Sequence, residues 1–402
     1  MAKEPCCVMK IGIDARFYGP VGKGLGRYTQ EVVDNIIKIN NVEDGDGFEF
    51  VIFLSPDNYD ELSVGDLRIK KVMLNIRWYS WREQIFMPFY IWREKLDLIH
   101  FPHFNVPIFT PVKFVLTLHD LILTHFPTVR ATTKHIFIYH LKNLAYRLVT
   151  KMAVKRAEKI ITVSEFTKKD IIYNFKIAAE KIIVTYEGVA NLAHGRDSLF
   201  VAKLDSREML NKYHINENFL LYVGNAYPHK NLETLISVFG RLHSLRPEMK
   251  LVLVGKEDYF YDRIHNYASS LNLWQKENVN SPIVFAGYVP DSQLEIMYQE
   301  AKAYVFPSLY EGFGLPPLEA MAKGCPVVSS DRASLPEILG TAAVYFNPED
   351  EDDMFSKINN VLDSRAFREE LKLKGVEQSK KYSWWECANK TLDVYKQILL
   401  KK

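Results

Sequence analysis

The strongest candidates for chemistry are two glutamates in the segment AYVFPSLYEGFGLPPLEAMAKGCPVVSS, residues 303–330. Glu311 lies in a glycine-bearing loop after a strand-like apolar run, and Glu319 follows two prolines that suit the first turn of a helix. Backbone N–H groups at a helix start bind anions, and glycines let a phosphate approach closely. In such a site one carboxylate could bind sugar hydroxyls and the other a ribose diol. Taken alone, however, a strand, a glycine loop and a helix favour an ordinary loop with two solvated glutamates.

The whole segment EGFGLPPLEAMAKGCPVVSS, which begins at Glu311, resembles the E-x7-E signature of retaining nucleotide-sugar glycosyltransferases of family 4, which have the GT-B fold. Residues 222–239 resemble the donor-phosphate segment of that family. Residues 251–256 and 285–294 resemble its nucleotide-side strands, and residues 11–32 resemble its N-terminal glycine loop. The resemblance therefore extends over nearly the whole chain.

The resemblance implies roles for individual residues. Glu311 would contact the hydroxyls of the donor sugar near the reacting carbon, Glu319 would hold the ribose, and Lys230 would neutralise the diphosphate. The loop residues expected to face the sugar and the diphosphate are Gly312, Phe313, Gly314 and Leu315.

The predicted phosphate clamp carries less fixed charge than is usual in the family. Asn225 stands where an arginine often follows the strand glycine, and His229 stands before Lys230 where arginine is also common. A protonated His229 would replace part of that charge. Lys256 and Val289, which follow the next two strands, are candidates for the pocket of the nucleotide base.

The N-terminal loop, residues 19–26, joins a strand to a helix and has glycines at a spacing other than G-x-G-x-x-G. The next predicted strand ends in Leu54 and Ser55 rather than in an acidic residue, which argues against a dinucleotide-dependent oxidoreductase. The resemblance makes this loop a mobile lid over the diphosphate, with Gly24 and Gly26 at the closest approach. A simple tight turn is the alternative.

Histidines follow two predicted strands of the first half. A side chain at the carboxyl end of a parallel strand points into the ligand cleft. The resemblance implies that His119 touches the donor sugar and that Asp120 orients the loop or the acceptor. His103, in FPHFNVP, is a candidate for the acceptor side or for a structural role.

The elements that must position these residues alternate between short apolar runs and amphipathic helical segments. Such alternation predicts an α/β fold with doubly wound parallel sheets. The expected GT-B architecture has two Rossmann-like domains that face each other across a cleft. Strands are predicted near residues 10–16, 49–54, 69–74, 98–102, 113–120, 159–164, 181–186, 220–225, 250–255, 283–289, 303–308 and 326–330.

The domain boundaries follow from a polar stretch without periodicity in the middle of the chain. We expect an acceptor-side domain over residues 1–188 and a linker region over residues 189–211. A nucleotide-sugar donor-binding domain would span residues 212–381. By resemblance, a last helix over residues 382–402 would cross back to the N-terminal domain.

Composition excludes several classes of protein. The 402 residues are 48% hydrophobic and 25% charged, which is globular composition. A net charge of +2 gives no sign of nucleic-acid binding. Four cysteines without metal-ligand spacing, no apolar run of membrane-spanning length and no secretory signal favour a reduced, cytoplasmic protein. The acidic triplets 44–46 and 350–352 are interpreted as solvated, so no metal or other cofactor is expected besides the nucleotide-sugar co-substrate.

Two basic, aromatic segments, residues 76–95 and 134–159, suit an anionic membrane surface. The same apolar spacing is found in any helix that packs on a core. Peripheral attachment to the inner face of the cell membrane therefore stays open at this point.

The resulting functional prediction is a retaining transfer of a hexose to a hydroxyl of a saccharide or a lipid-linked saccharide. GDP-mannose is the first choice of donor because PHKNL and FPHFNVP resemble the mannosyltransferase-type members. UDP-glucose or another UDP- or dTDP-hexose comes second. The alternative function is a catalytically idle, nucleotide-sugar-binding GT-B subunit that acts through a partner.

Overall fold

The structure is a computed structural model that describes residues 8–42, 47–127, 136–189, 205–215 and 217–400. The chain forms two compact units. One comprises Met1–Gly188 together with Ser383–Lys402, and the other comprises Val189–Tyr382.

The first unit is built on a parallel sheet of seven strands. These strands are β1 (Lys10–Asp14), β2 (Glu49–Leu54), β3 (Ile69–Met73), β4 (Leu98–Phe101), β5 (Lys113–Thr117), β6 (Lys159–Thr162) and β7 (Ile182–Val184). Their order across the sheet is β3-β2-β1-β4-β5-β6-β7. Ile11 of β1 pairs with Phe50 on one side and with Leu98 on the other, and all three side chains are fully buried. Burial on both faces explains the continuous apolar runs of the sequence.

Helices connect these strands and cover the sheet. Glu83 and Thr167 lie in the first turns of two of them, whose starts are capped by the hydroxyls of Ser80 and Ser164. The helices are α1 (Lys23–Val42), α2 (Trp81–Arg93), α3 (Ile122–His125), α4 (Ile136–Arg156) and α5 (Glu165–Phe175).

The second unit contains a parallel sheet of six strands. These are β8 (Phe219–Val223), β9 (Lys250–Val254), β10 (Ile283–Gly287), β11 (Ala303–Phe306), β12 (Val327–Ser330) and β13 (Ala343–Phe346). Their order is β10-β9-β8-β11-β12-β13. The helices are α6 (Ser206–Lys212), α7 (Leu232–Leu245), α8 (Tyr259–Ser270), α9 (Asp291–Glu300), α10 (Leu315–Ala322), α11 (Leu335–Leu339), α12 (Glu351–Asp363) and α13 (Arg365–Ser379).

Both sheets are doubly wound, as predicted, and each of the twelve predicted strands is present. The sequence analysis missed β13, a short strand at the edge of the second sheet. Part of the predicted linker is helical, because Asp205 caps the start of α6 with a bond from the N–H of Arg207. The rest of the linker, residues 190–204, lies outside the described residues.

The last helix, α14 (Trp384–Leu399), packs within the first unit. The Tyr395 hydroxyl lies 2.6 Å from Nδ1 of His100 on β4, and both side chains are fully buried. The Cys387 thiol lies 3.6 Å from Oγ1 of Thr185, directly after β7. None of the helices within the described residues is long and apolar enough to span a membrane.

We predict that Gly188→Ala destabilises the first unit. A Cβ at Gly188 would lie 2.1 Å from the backbone nitrogen of Trp384, so the start of α14 would have to move. Overpacking of this kind costs about 1–3 kcal/mol. Chemical denaturation, followed by circular dichroism, should show a lower midpoint for the variant. Gly65→Ala is the matched control, because a Cβ at this exposed glycine meets nothing within 4 Å. Equal midpoints for the two variants would contradict the prediction.

Candidate active site

The order of strands in the second sheet reverses between β8 and β11. These two strands are hydrogen-bonded neighbours, with Leu220 opposite Ala303, although a long stretch of chain separates them. In open α/β sheets the loops that leave such a pair diverge and form the ligand crevice. Here the two loops are tied together, since the N–H of Leu309 donates to the carbonyl of His229 at 2.8 Å.

Lys230 and Glu311, one from each loop, form an ion pair at this point. Lys230 Nζ lies 2.5 Å from Glu311 Oε1, and the two residues are only 9% and 8% exposed. The same ammonium lies 5.4 Å from the ring centre of Phe306, the last residue of β11. Removing one partner of such a pair leaves an uncompensated charge in a poorly solvated place. The structure thus brings together two charged residues that the sequence analysis selected separately.

The loop from Glu311 to Leu315 is held by Ser334. Its hydroxyl donates to the carbonyls of Glu311 and Phe313 at 3.0 and 3.1 Å. Gly314 adopts a φ of +101°, which side chains rarely allow, and a Cβ there would lie 2.8 Å from Leu335 Cδ2. Glycine is therefore required where the loop turns into α10.

Helix α10 starts as predicted, with prolines in its first turn and with Gly314 as its N-terminal cap. Pro316 and Pro317 have no N–H, so this helix start can offer an anion only the N–H of Leu315 and those of the loop before it. Glu319 lies on this helix and is 5% exposed. The two glutamates of the signature therefore sit on one loop-and-helix element, as the pattern required.

Asn225 shapes the loop after β8. Its side-chain oxygen accepts the N–H of Tyr227 at 3.2 Å, and its carbonyl accepts the hydroxyl of Tyr222 at 2.7 Å. The residue thus has a local role in the turn that leads to Lys230. His229, in the same turn, is buried, and burial together with the Lys230 charge lowers its pKa to about 4. The histidine is therefore neutral near neutral pH in the protein without donor, and the contribution of a protonated His229 to the clamp stays a prediction.

The two candidates for the base pocket differ in accessibility. Lys256 is exposed and follows Gly255, at the end of β9. A Cβ on Gly255 would lie 2.1 Å from the carbonyl oxygen of Gly224, so the neighbouring strand ends approach closely here. Val289, in contrast, is 3% exposed and packs in the interior of the unit. Lys256 is thus the more accessible of the two.

The glycines of the N-terminal loop have different surroundings. A Cβ on Gly26 would lie 2.1 Å from the carbonyl oxygen of Gly19 and 2.6 Å from that of Phe17. A glycine is therefore needed at position 26 for packing inside the loop, and the close approach of Gly26 to a diphosphate stays a prediction. Gly24 is exposed, and a Cβ there would meet nothing within 4 Å. Only Gly24 keeps the open surroundings that the prediction requires.

His119 lies after β5 with both ring nitrogens engaged. Nδ1 is 3.3 Å from Glu187 Oε1, and Nε2 is 3.0 Å from the carbonyl oxygen of Pro102. Both partners are acceptors, and a neutral imidazole can donate to only one of them. The ring of Tyr28 packs edge-on against the imidazole at 4.4 Å. A sugar hydroxyl can therefore bond to His119 only by replacing one of these partners.

Glu187 is a buried residue that the sequence analysis missed. It is 6% exposed and follows β7, as His119 follows β5. The same strand-end placement that selected His119 could have selected it. Asp120 accepts the N–H of Ile122, the first residue of α3, at 2.9 Å, and its predicted role in orienting the loop or the acceptor stays a prediction.

A second buried group of charges lies at the end of β1. The guanidinium of Arg16, 1% exposed, bonds to Asp14 at 2.6 and 2.7 Å and also to the fully buried Glu83.

The next residue, Phe17, brings an aromatic ring close to His103. The Phe17 ring stacks on Trp78 at 4.2 Å and lies 5.5 Å from the ring of His103. Burial, with a smaller effect of the His119 charge, lowers the pKa of His103 to about 3, so this imidazole is neutral.

The acidic triplets have structural explanations where they are described. Asp350 caps the start of α12 by accepting the N–H groups of Asp352 and Asp353, both at 3.0 Å. The triplet 44–46 lies outside the described residues. Among the described residues, Glu257, Asp262 and His265 have ligand atoms within 4.8 Å of one another, and both of the acidic residues are exposed.

Comparison with known proteins places the chain in a family. The model described as Glycosyltransferase Family 4 matches residues 44–190, and the model described as Glycosyl transferases group 1 matches residues 205–378. O-antigen chain mannosyltransferase B of Escherichia coli is 32% identical over 314 residues, which cover 76% of each chain. O-antigen chain mannosyltransferase RfbU of Salmonella typhimurium is 29% identical over 287 residues, which cover 71% of this chain and 70% of the relative.

Solved structures share the fold at low sequence identity. Sucrose-phosphate synthase from Thermosynechococcus elongatus has a TM-score of 0.72 at 19% identity, covering 98% of this chain and 99% of that one. WaaG, described as a glycosyltransferase involved in lipopolysaccharide biosynthesis, has a TM-score of 0.70 at 15% identity, covering 96% and 99%. These structures show that the chain has the GT-B fold. The family models and the similarity to the O-antigen mannosyltransferases show that the chain belongs to glycosyltransferase family 4 and is a glycosyltransferase.

Proposed function

We propose that the protein is a retaining mannosyltransferase that transfers mannose from GDP-mannose to a hydroxyl of a saccharide or a lipid-linked saccharide. The observation that carries this proposal is the buried pair of Lys230 and Glu311, at the point where the strand order of the second sheet reverses. The mannosyltransferase names of the two O-antigen relatives support the choice of sugar. Both relatives are covered over more than two thirds of their length.

The second unit would bind the donor. Lys230 neutralises the diphosphate, which needs a compact cation, and Glu311 accepts hydrogen bonds from sugar hydroxyls. Without donor, Lys230 and Glu311 bond to each other. When the donor binds, this ion pair is replaced by a contact of Lys230 with the diphosphate and a contact of Glu311 with the sugar. The N–H groups of Gly314 and Leu315 face the sugar and the diphosphate, and Glu319 binds the ribose. In the protein without donor His229 is neutral, so Lys230 is the cation that first meets the diphosphate.

Catalysis would rest on positioning and electrostatic stabilisation. The bond between the anomeric carbon and the diphosphate oxygen breaks, and the acceptor oxygen bonds to the same face of the sugar. The acceptor proton passes to an oxygen of the departing diphosphate, and GDP leaves. In the first unit, His119 is a proposed sugar contact, and a sugar hydroxyl would bond to Nε2 in exchange for the carbonyl of Pro102.

An apolar, basic face of the first unit supports the membrane as a partner. Helix α2 exposes Trp81, Ile85, Phe89 and Trp92 by 72%, 59%, 51% and 67%, a spacing that places them on one side of the helix. The acidic residues of the segment 76–95, Glu83 and Glu94, are both buried and ion-paired. The exposed charges of this segment are Arg77, Arg82, Arg93 and Lys95.

Helix α4 of the same unit also exposes apolar side chains. Leu144 and Leu148 are 65% and 53% exposed, and residues 143–156 contain basic residues but no acidic one. The loop between β4 and β5 contacts both helices, because Gln84 of α2 accepts the N–H of Ile108 at 2.9 Å and Arg156 of α4 donates to the carbonyl of Thr110 at 2.9 Å. Apolar side chains among cations suit anionic headgroups. We propose that this face binds an anionic membrane, where a lipid-linked acceptor is presented.

We expect Glu311→Gln to reduce transfer from GDP-mannose by about a hundredfold or more, because it removes a charged acceptor at the reacting sugar. The affinity for GDP, measured by titration calorimetry, should change by less than about fivefold, since other residues bind the nucleotide. Glu277→Gln, at an exposed position of the same unit, is the control. Unchanged transfer in Glu311→Gln would show that the site is assigned to the wrong residue.

Thermal unfolding with GDP, UDP, dTDP and ADP tests the choice of donor. A ligand that binds only the folded protein stabilises it by about 2.7 kcal/mol at a hundredfold excess over its Kd. We expect GDP and GDP-mannose to raise the Tm, and Lys230→Met to lose this increase. A selective response to UDP or dTDP would replace mannose by another hexose. No response to any nucleotide would favour the idle-subunit alternative.

Sedimentation with lipid vesicles tests the membrane face. The protein should bind vesicles that contain phosphatidylglycerol more tightly than vesicles of phosphatidylcholine alone. The double variant Trp81→Ser/Phe89→Ser should bind at least about tenfold more weakly, because two large apolar side chains are lost. Tyr173→Ser/Leu245→Ser is the matched control, with side chains 73% and 65% exposed elsewhere. Equal loss in both double variants would contradict a specific face.

A further inference from the structure

A cluster of aromatic rings lies at the point where the strand order of the first sheet reverses. Phe17 follows β1, and His103 and Phe104 follow its neighbour β4. The rings of His103 and Phe104 are 3.9 Å apart, and the ring of Tyr79 lies 5.8 Å from each of them. This is the place in an open α/β sheet where ligands bind. The cluster is therefore in a position to bind one.

Tyr79 is held in a strained backbone conformation. Its φ is 57°, in the left-handed region that costs a bulky residue about 1–3 kcal/mol. Its ring is nevertheless 59% exposed, so burial of the side chain compensates for little of this strain. Strain of this kind persists only where the surroundings enforce it, and it is most common at functional sites.

Buried charges enforce the conformation. The N–H of Tyr79 donates to Glu83 Oε2 at 2.9 Å, and the side chain of Asn105 donates to the same oxygen at 2.5 Å. The other carboxylate oxygen of Glu83 is bonded by Arg16, which also donates to the carbonyl of Ile76 at 3.2 Å. Desolvating these charges is costly. Together they fix the turn from Ile76 to Tyr79 against the end of β1.

The exposed ring carries polar groups at its edge. The Tyr79 hydroxyl lies 3.3 Å from His103 Nδ1, and both groups can donate or accept a hydrogen bond. An aromatic face next to neutral hydrogen-bonding groups matches a pyranose ring, which has an apolar C–H face and a rim of hydroxyls.

We propose that Tyr79, His103 and Phe104 form a stacking subsite for a pyranose ring of the acceptor, and that the Arg16–Glu83 pair positions Tyr79 in it. This inference rests on the proposed function, because it assumes that the acceptor is a saccharide. The apolar face of the sugar packs on the Tyr79 ring, and its hydroxyls bond to the Tyr79 hydroxyl and to the His103 imidazole.

Tyr79→Gly separates binding from structure. Glycine tolerates a φ of 57°, so the variant should keep or raise the Tm of the protein. The KM for the acceptor should rise about tenfold, with kcat within about threefold, because only ground-state stacking is lost. Tyr79→Phe, which keeps the ring, should stay within about threefold of the parent KM. Tyr173→Ala is the control at an exposed tyrosine.

The acceptor probes are octyl glycosides of mannose, glucose, galactose and N-acetylglucosamine, each offered with GDP-mannose, while GDP affinity is measured in parallel. Parent protein that fails to bind GDP refutes the proposed donor and not the subsite. Normal GDP binding with an unchanged acceptor KM in Tyr79→Gly overturns the subsite. A lower Tm in Tyr79→Gly overturns it as well, because the ring would then be structural. Normal GDP binding without transfer to any glycoside also contradicts recognition of a single pyranose.

Discussion

The proposed chemistry depends on one constraint, the reversal of strand order in a parallel sheet. Because β8 and β11 are neighbours, the loops after them start side by side, although they are far apart in the chain. The ion pair of Lys230 and Glu311 can form only for this reason, and the bond from Leu309 to His229 fixes the distance between the loops. A charged pair of this kind is costly to bury, so its position at a ligand crevice indicates a function beyond stability.

The first unit also has a buried ion pair after a strand at which the strand order reverses, but the role of this pair differs. Arg16 follows β1 and reaches the carboxylate of Glu83, which lies at the start of α2. Arg16 bonds to Asp14 and Glu83, and Glu83 also accepts bonds from Tyr79 and Asn105. We therefore assign these charges no direct contact with a ligand. Glu83 instead accepts the N–H of Tyr79 and so holds the backbone of Tyr79 in an unfavourable conformation. In one unit the buried pair is the proposed site, and in the other it supports one.

The sequence predicted the sheets well because strands buried on both faces are continuous apolar runs. It also selected Lys230 and Glu311, but only because their segments resemble family 4; taken alone, each residue reads as a solvated surface charge. It missed the Arg16–Glu83 pair, because a charged residue in a sequence carries no sign of burial or of a distant partner. It also could not show that Gly26 packs closely against the backbone of Phe17 and Gly19, because that contact is formed within the folded loop. Local patterns predict elements, whereas contacts between distant segments become visible only in the fold.

The segment after β7 links the last helix of the chain to His119. Thr185 contacts Cys387, Glu187 holds the imidazole of His119, and Gly188 lies against the backbone at the start of α14. Tyr28 is a second link between His119 and α14, because its ring packs edge-on against His119 and against Trp384. The position of His119 therefore depends on how α14 packs, which gives this helix a part in shaping the strand-end edge of the first sheet. A helix at the far end of the chain is thus part of the support for a residue selected by its strand-end position and by the family resemblance.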